Sequence, residues 1–255
     1  MYIDSHCHIT ADDLYIRLDE VLKNMDRIAQ AMIICTNEEE FQRALPIRNN
    51  DPQRFRIAWG WYPGDVRDID DSHYQSLQQA IDAEQIDCLG EIGLDYYWDT
   101  SFKEQQQEAF IRQMHMANQA GLPIAIHMRE ATKDTMDLLK QHARTNVIMH
   151  CFSGSVETMK ECIQRGYYIS LGGPVTFKNA RHSVEVAKAC PPERLLTETD
   201  SPYMAPVPFR GKQNEPMYVE YVAKKIADIK QVPLEPLCAQ IQSNFQNVLK
   251  KAEEF

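Results

Sequence analysis

Eight short apolar segments, separated by longer amphipathic stretches, constrain the fold of this chain more than any other feature. Several are almost continuously hydrophobic, which is typical of strands buried on both faces of a parallel sheet. Eight strands alternating with helices predict a closed (β/α)8 barrel, a TIM barrel of the α/β class. The alternative is an open doubly wound sheet, which requires no particular strand number. The segments are YIDSHCH (2–8), AMIICT (31–36), FRIAWG (55–60), DCLGEIGL (87–94), LPIAIHM (122–128), NVIMHCF (146–152), YYISLGG (167–173) and LLTETDS (195–201).

The stretches between the strands have helical periodicity, most clearly residues 101–120. Ser101 and Glu104 form a capping-box pattern at its start, and Gly121 follows its end. The 255 residues contain no repeat or linker, and α/β barrels often have about 250 residues, so we predict a single domain over 1–255. Other predicted helices cover 155–165, 217–229 and 234–251, the last two being extra C-terminal helices. A proline-rich loop at 201–216 is the longest irregular segment.

Polar residues gather at the C-terminal ends of the predicted strands, where barrel active sites are built. Side chains at i and i+2 of a strand point to the same face, so His6 and His8 point together. An isolated His-x-His more often means one packed and one solvated histidine, so the other strand ends carry the argument. Six side chains of metal-ligating type share this placement: His6, His8, Glu91, His127, His150 and Asp200.

A carboxylate in an apolar strand is costly unless it is paired or holds a metal, and the predicted strands offer few basic residues. The excess of ligands predicts two divalent ions per subunit that share one bridging carboxylate. Nitrogen and oxygen ligands together suit Zn²⁺, Mn²⁺, Co²⁺ or Fe²⁺; Mg²⁺ usually takes more oxygen. Such a pair activates water for hydrolysis, most naturally of a phosphoester, with Asp200 as the base. The alternative is a set of histidines hydrogen-bonded to carboxylates without metal.

Two acidic residues share the strand parity of the predicted ligands. Asp4 has the parity of His6 and His8, and Glu198 has that of Asp200. Either accepts a proton from a ligand imidazole and so fixes its tautomer, or it forms an ordinary buried hydrogen bond.

Arg129 and Ser153 are candidates for binding substrate. Arg129 lies two residues beyond His127. We expect its guanidinium either to bind a phosphate through two hydrogen bonds or to form a salt bridge with Glu130 or Asp134. Ser153 begins the Ser-Gly-Ser turn into a helix, whose backbone N–H groups receive an anion unless the serines only cap that helix.

Composition limits the partners. The net charge of −10 argues against a broad basic surface for nucleic acid, although bound cations can supply positive charge locally. The seven cysteines have no zinc-site spacing and favour buried free thiols in a reducing compartment. Without a signal-peptide pattern or a long apolar span, the expected location is the cytoplasm, with no membrane contact.

The chain resembles the TatD-type metal-dependent deoxyribonucleases of the amidohydrolase-like barrel superfamily, and the resemblance covers nearly its whole length. It implies that the six residues are metal ligands, with Glu91 bridging two ions. It also implies divalent-metal-dependent cleavage of DNA, often as a 3′-to-5′ exonuclease on single strands. The matching motifs are IDSHCHI (3–9), GEIGLDYY (90–97), LPIAIHMRE (122–130), MHCFSGS (149–155), ISLGG (169–173), LLTETDSPYMAP (195–206), R-G-K-x-N-E-P (210–216) and NFQNVLK (244–250).

Two departures from the family pattern bear on the substrate. The family usually has Gly-x-His-Pro after the third strand, and here Tyr62 replaces that histidine; it donates a hydrogen bond but carries no positive charge. The family's His-Ser-Arg becomes His127-Met128-Arg129, which keeps the arginine. Trp61, Tyr62, Tyr96 and Tyr97 near the mouth either pack or stack on bases.

Three functions are compatible with these residues. The first is DNA phosphodiester hydrolysis by a monomer that has no obligate protein partner. The second retains the metals but acts on a small-molecule amide, lactone or phosphate ester. The third is a non-enzymatic binding barrel.

Overall fold

The computed structural model describes residues 1–251, and it forms a barrel of eight parallel strands. The strands pair in chain order from the first to the last. A parallel bridge between Cys7 and Ser201 joins the end of the eighth strand's segment back to the first. The strands are β1 Tyr2–Cys7, β2 Ile28–Cys35, β3 Phe55–Trp59, β4 Cys88–Asp95, β5 Ile124–Arg129, β6 Val147–Met149, β7 Tyr168–Leu171 and β8 Leu195–Thr197. Each lies within or overlaps its predicted segment, so the predicted TIM barrel is confirmed.

Helices follow the strands along the chain, and two of them lie beyond β8, as the sequence predicts. The amphipathic stretches supply one apolar face to each helix, which is the requirement for packing on a barrel. The helices are α1 Asp12–Tyr15, α2 Leu18–Asn24, α3 Glu38–Asn50, α4 Asp71–Asp82, α5 Lys103–Ala120, α6 Thr132–His142, α7 Val156–Gln164, α8 Arg181–Ala189, α9 Val219–Lys230 and α10 Leu234–Val248.

The strands are buried on both faces, which explains their nearly continuous hydrophobicity. Every residue of β1 and β4 is buried, and residues of all eight strands belong to one hydrophobic core. Because the core interior is sealed by these side chains, the polar residues at the strand ends meet only at one rim of the barrel. The loop 201–216 follows β8 and contributes to that rim.

The predicted capping box at the start of α5 is wrong. The helix begins after Phe102, and no side chain caps it. Ser101 instead donates its backbone N–H to Asp99 and belongs to the preceding turn. The helix ends as predicted, because Gly121 adopts a left-handed φ of 64°. Helix α7 is capped as expected, since the Ser155 side chain accepts a hydrogen bond from the Thr158 N–H.

The cysteines are free, and all of them are buried except Cys151, which is partly buried. This confirms the expectation of unpaired thiols. Among residues 1–251, none of the helices combines the length and the apolar character that crossing a bilayer would require.

Gly93 allows β4 to lie close to the backbone of His127 on β5, and this closeness generates a prediction. Its φ is +142°, and an added Cβ would lie 2.0 Å from the His127 carbonyl oxygen. Gly166 also has a positive φ, +83°, but an added Cβ there meets nothing within 4 Å. We expect Gly166→Ala to cost about 1 kcal/mol for the left-handed backbone alone. Gly93→Ala should cost about 3 kcal/mol or more, because crowding is added.

The measurement is the free energy of unfolding in urea for the two variants and the unchanged protein. Equal losses in the two variants would show that the contact between β4 and the His127 carbonyl imposes no constraint.

Candidate metal centre

The six predicted ligands meet at the C-terminal rim of the barrel. Three of them lie on β1, β4 and β5, and the other three follow β1, β6 and β8. All are buried except His127, which is partly buried, with its side chain 15% exposed. Residues up to 194 positions apart in the chain, His6 and Asp200, therefore share one nearly dry cluster whose imidazoles and carboxylates are the donor groups of metal sites.

One half of the cluster contains two imidazoles and two carboxylates. The Nε2 atom of His6 lies 3.5 Å from Glu91 Oε2 and 3.8 Å from Asp200 Oδ1. His8 Nε2 lies 3.7 Å and 3.5 Å from the same two oxygens. Ligands bound tetrahedrally at about 2.1 Å are about 3.4 Å apart, so His6, His8 and Asp200 are spaced to hold one small cation, with Glu91 Oε2 beside both imidazoles.

The other half lies on the opposite oxygen of the same glutamate. Glu91 Oε1 is 3.4 Å from His150 Nε2 and 2.6 Å from His127 Nδ1. The shorter distance is that of a hydrogen bond, with one proton between His127 Nδ1 and Glu91 Oε1. Glu91 thus directs one oxygen to each pair of imidazoles, which is the arrangement of a bridging carboxylate.

The unpartnered imidazole of His6 tests whether the cluster fits a metal. Both ring nitrogens are buried without a hydrogen-bond partner. Burial, and then the adjacent His150, lower the pKa of His6 to about 3, so the ring is neutral and offers a lone pair. The metal-free alternative requires every histidine to be hydrogen-bonded, and His6 is not. The residues therefore fit divalent cations better than a closed hydrogen-bond network.

Asp95 is a site residue that the sequence analysis missed. Its Oδ2 atom lies 3.0 Å from His127 Nε2 and accepts a hydrogen bond of 2.9 Å from the Tyr62 hydroxyl. Burial lowers the pKa of His127, but the hydrogen bonds to Asp95 and Glu91 outweigh it and raise the pKa overall. Asp95 fixes the proton on Nε2 and leaves Nδ1 to face Glu91. Asp95 is four residues from Glu91 on β4 and has the same strand parity, so the sequence already places both side chains on one face of the strand.

Glu198 lies beside a ligand imidazole, as expected. Its Oε1 atom is 3.1 Å from His150 Nδ1, off the line of a hydrogen bond, and it accepts the Cys151 N–H at 2.7 Å. Burial lowers the pKa of His150, but the charges of Glu198 and Glu91 raise it well above its ordinary value.

Asp4 does not accept from an imidazole, which corrects the expectation drawn from its parity. Its carboxylate accepts the Thr199 N–H at 2.9 Å, the Thr199 hydroxyl at 2.6 Å and the His6 backbone N–H at 3.3 Å. The side chain therefore points across to the segment after β8, and it fixes the backbone beside Asp200 instead of a ligand ring.

A second buried residue holds the segment of Asp200 from the other side. Asn214, fully buried, donates to the carbonyl oxygens of Thr199 at 2.8 Å and Tyr203 at 2.6 Å. Asp200 itself has a left-handed φ of 57° and donates its N–H to the His6 carbonyl at 2.9 Å. These hydrogen bonds hold the strained backbone in its left-handed conformation and direct the Asp200 carboxylate toward His6 and His8. The R-G-K-x-N-E-P motif thus supports the site through Asn214.

A cavity of about 700 Å³ opens onto the cluster, and the predicted substrate-binding residues Arg129, Tyr62 and Ser153 line it. The Arg129 guanidinium lies over the Tyr97 ring at 3.9 Å, and within residues 1–251 it forms no ion pair with Glu130 or Asp134. Tyr62 already donates its hydroxyl proton to Asp95, so only its oxygen lone pairs face a ligand.

The hydrogen bond from His127 to Asp95 predicts an effect on metal affinity. Asp95→Ala should weaken divalent-metal binding about 10- to 100-fold, because the imidazole loses its fixed tautomer and orientation. Asp95→Asn is the matched control; its amide oxygen still accepts from Nε2 and should retain most of the affinity. Zn²⁺ binding is measured by competition with a chelator. Equal affinity of the alanine variant and the unchanged protein would contradict the assigned role.

Comparisons with known proteins agree with this geometry. The family model described as TatD related DNase matches residues 3–250. A protein of Bacillus subtilis named uncharacterized metal-dependent hydrolase YabD is 37% identical over 98% of this chain and 99% of its own length. YcfH of Escherichia coli K12, which carries the same description, is 34% identical over 95% of this chain and 93% of its own.

Solved structures agree as well. The TatD homolog YjjV of Escherichia coli K12 superposes with a TM-score of 0.91 at 28% identity, over 99% of this chain and 98% of that one. An organophosphorus hydrolase of Deinococcus radiodurans, 12% identical, shares the fold with a TM-score of 0.65, over 98% of this chain and 93% of its own. Since the family model spans the barrel from β1 to the end of α10, this chain belongs to the TatD-related DNase family.

Proposed function

We propose that this protein is a hydrolase of phosphodiester bonds in DNA that depends on two divalent metal ions. One observation carries the proposal: Glu91 directs its two carboxylate oxygens to two separate imidazole pairs. The family and the names of the relatives support metal-dependent hydrolysis. Deoxyribonuclease activity on the 3′ ends of single strands is the finer part of the proposal.

Different groups at the site perform different parts of the proposed hydrolysis. Bound divalent ions supply Lewis acidity, which lowers the pKa of water and offsets charge on phosphoryl oxygens. Asp200 accepts the proton of the attacking water, since its buried carboxylate faces the cluster, 3.8 Å from His6 Nε2 and 3.5 Å from His8 Nε2. Arg129 orients a phosphate group at the rim.

The cavity supports a chain end as substrate. Its volume of about 700 Å³ falls within the range of about 300–1,000 Å³ that holds small-molecule ligands. One or two nucleotides fit such a pocket, whereas a duplex does not. We therefore propose a single-stranded end, handled by a monomer without an obligate protein partner.

The charge of the pocket favours a second candidate, the hydrolysis of a small amide, lactone or phosphate ester. Four carboxylates line the cavity, against the single guanidinium of Arg129. Tyr62 adds no positive charge where the family pattern has histidine. A ratio of kcat/KM that favours such small compounds over oligonucleotides would select this candidate.

The proposal predicts metal-dependent release of nucleotides from single-stranded DNA. Metal-free protein is supplied with Mn²⁺, Mg²⁺, Co²⁺ or Zn²⁺ and incubated with end-labelled oligonucleotides. Asp200→Asn should lower kcat by at least about 100-fold, because the proton acceptor is lost. Asp228→Asn, an exposed residue of α9, is the control and should change nothing.

Two outcomes would overturn the proposal. If no metal restores cleavage of DNA or of a phosphodiester model compound, the protein is not a phosphodiesterase. If the protein cleaves nothing and Asp200→Asn binds oligonucleotides as well as the unchanged protein does, a non-enzymatic binding barrel is the better description.

A further inference from the structure

Exposed aromatic and apolar side chains cluster at the mouth of the metal-lined cavity. In the described part of the chain, eight large hydrophobic side chains are exposed, and four of them lie at this mouth. These are Tyr97 at 54% exposure, Trp98 at 73%, Tyr203 at 56% and Met204 at 39%. We call these four residues the aromatic mouth. Such a concentration of exposed apolar surface marks a binding site.

The aromatic mouth is continuous with the candidate metal centre. Tyr97 and Trp98 follow β4, and their rings are 4.7 Å apart, edge to face. The Arg129 guanidinium lies 3.9 Å from the Tyr97 ring centre and 5.2 Å from that of Trp98. Tyr203 follows Asp200, and its ring is 6.0 Å from that of the ligand His8. A ligand at the mouth therefore lies between the aromatic rings and the ligand cluster.

The aromatics for which the sequence left packing and base stacking open divide between packing and the mouth. Trp61 is only 4% exposed and packs edge to face on Trp59. The Tyr96 hydroxyl donates to Asp134 in a partly buried contact. Of that set, only Tyr97 is exposed, and it adjoins Trp98, which the sequence analysis did not single out.

The charge of the cavity restricts how a polyanion binds. Arg129 is the only lysine or arginine that lines it, whereas Glu40, Asp65, Glu91 and Asp200 are carboxylates. Proteins that bind nucleic acid mainly through phosphates have several basic contacts and lose affinity steeply with salt. Apart from ions held at the metal centre, this pocket has one such contact, so affinity for the rest of the strand requires another interaction.

We infer that the aromatic mouth binds the terminal base of a single-stranded nucleic acid by stacking, with Trp98 as the main platform and Arg129 on a single phosphate. The inference rests on the proposed function, of which it specifies the substrate contact. Stacking tolerates any base, and it compensates for the scarcity of positive charge. Affinity should therefore require a base of any kind on the end nucleotide and should depend only weakly on ionic strength.

Trp98 can be observed directly, because the other two tryptophans, Trp59 and Trp61, are 1% and 4% exposed. Collisional quenching of fluorescence by acrylamide therefore reports mainly on Trp98. A hexathymidylate with phosphorothioate linkages, which resist hydrolysis, is added in the presence of Mg²⁺. We expect the oligonucleotide to protect the fluorescence from acrylamide; unchanged quenching at saturation would overturn the inference.

Calorimetric titration of variants measures the stacking. Trp98→Ala should weaken binding of the hexanucleotide about 5- to 150-fold, and Trp98→Phe should retain most of the affinity. Val232→Ala, on the turn between α9 and α10, is the control for an exposed apolar side chain elsewhere. With an oligonucleotide that is abasic at both ends, Trp98→Ala and the unchanged protein should bind equally. An equal loss on the abasic ligand would contradict stacking.

Salt dependence gives an independent test. One or two phosphate contacts on a single strand predict a slope of log affinity against log salt between about −0.7 and −1.4. A slope steeper than about −3 would show that phosphate contacts dominate and would overturn the inference.

The two proposals fail in different ways. A protein that binds the resistant oligonucleotide through Trp98 but cleaves no DNA contradicts only the proposed function. A protein that cleaves DNA while Trp98→Ala binds and reacts normally contradicts only the stacking inference.

Discussion

The burial of charge at one end of the barrel is the constraint on which the rest of the structure depends. Glu91 and Asp200 are 4% and 7% exposed, so their carboxylates have lost nearly all contact with bulk water. Removing an ionised carboxylate from water costs several kcal/mol unless an opposite charge or several hydrogen bonds compensate. The surrounding imidazoles compensate only in part, because His6 is held neutral. Cations held by these residues would complete this balance, and the proposed function assigns that part to two divalent ions.

The supporting residues show how such a cluster is held in place before a cation enters. Asp4 and Asn214 bind the backbone on both sides of Asp200, and Asp95 fixes the ring of His127. Each is buried, so its hydrogen bonds are protected from exchange with water. A site pre-organised in this way avoids the entropy of ordering its ligands during binding or reaction.

The sequence predicted the barrel because strands buried on both faces leave a pattern that few other structures produce. It also predicted which residues meet, since parallel strands in a barrel bring their C-terminal ends to one rim. It did not predict what Asp4 contacts, because parity gives a direction along one strand and not the neighbour across it. The capping box at Ser101 failed for a similar reason: Asp99 competes locally for its N–H, and a pattern of residue types does not rank such alternatives.

The position of Glu91 has a further consequence. Its two oxygens serve two groups of imidazoles through one rigid carboxylate, so a shift of the side chain toward either group changes its distance to the other. With two ions bound as proposed, occupancy of one position would be thermodynamically linked to occupancy of its neighbour, and by reciprocity each would change the affinity of the other by the same factor. The centre would load cooperatively or anticooperatively, rather than as two independent sites.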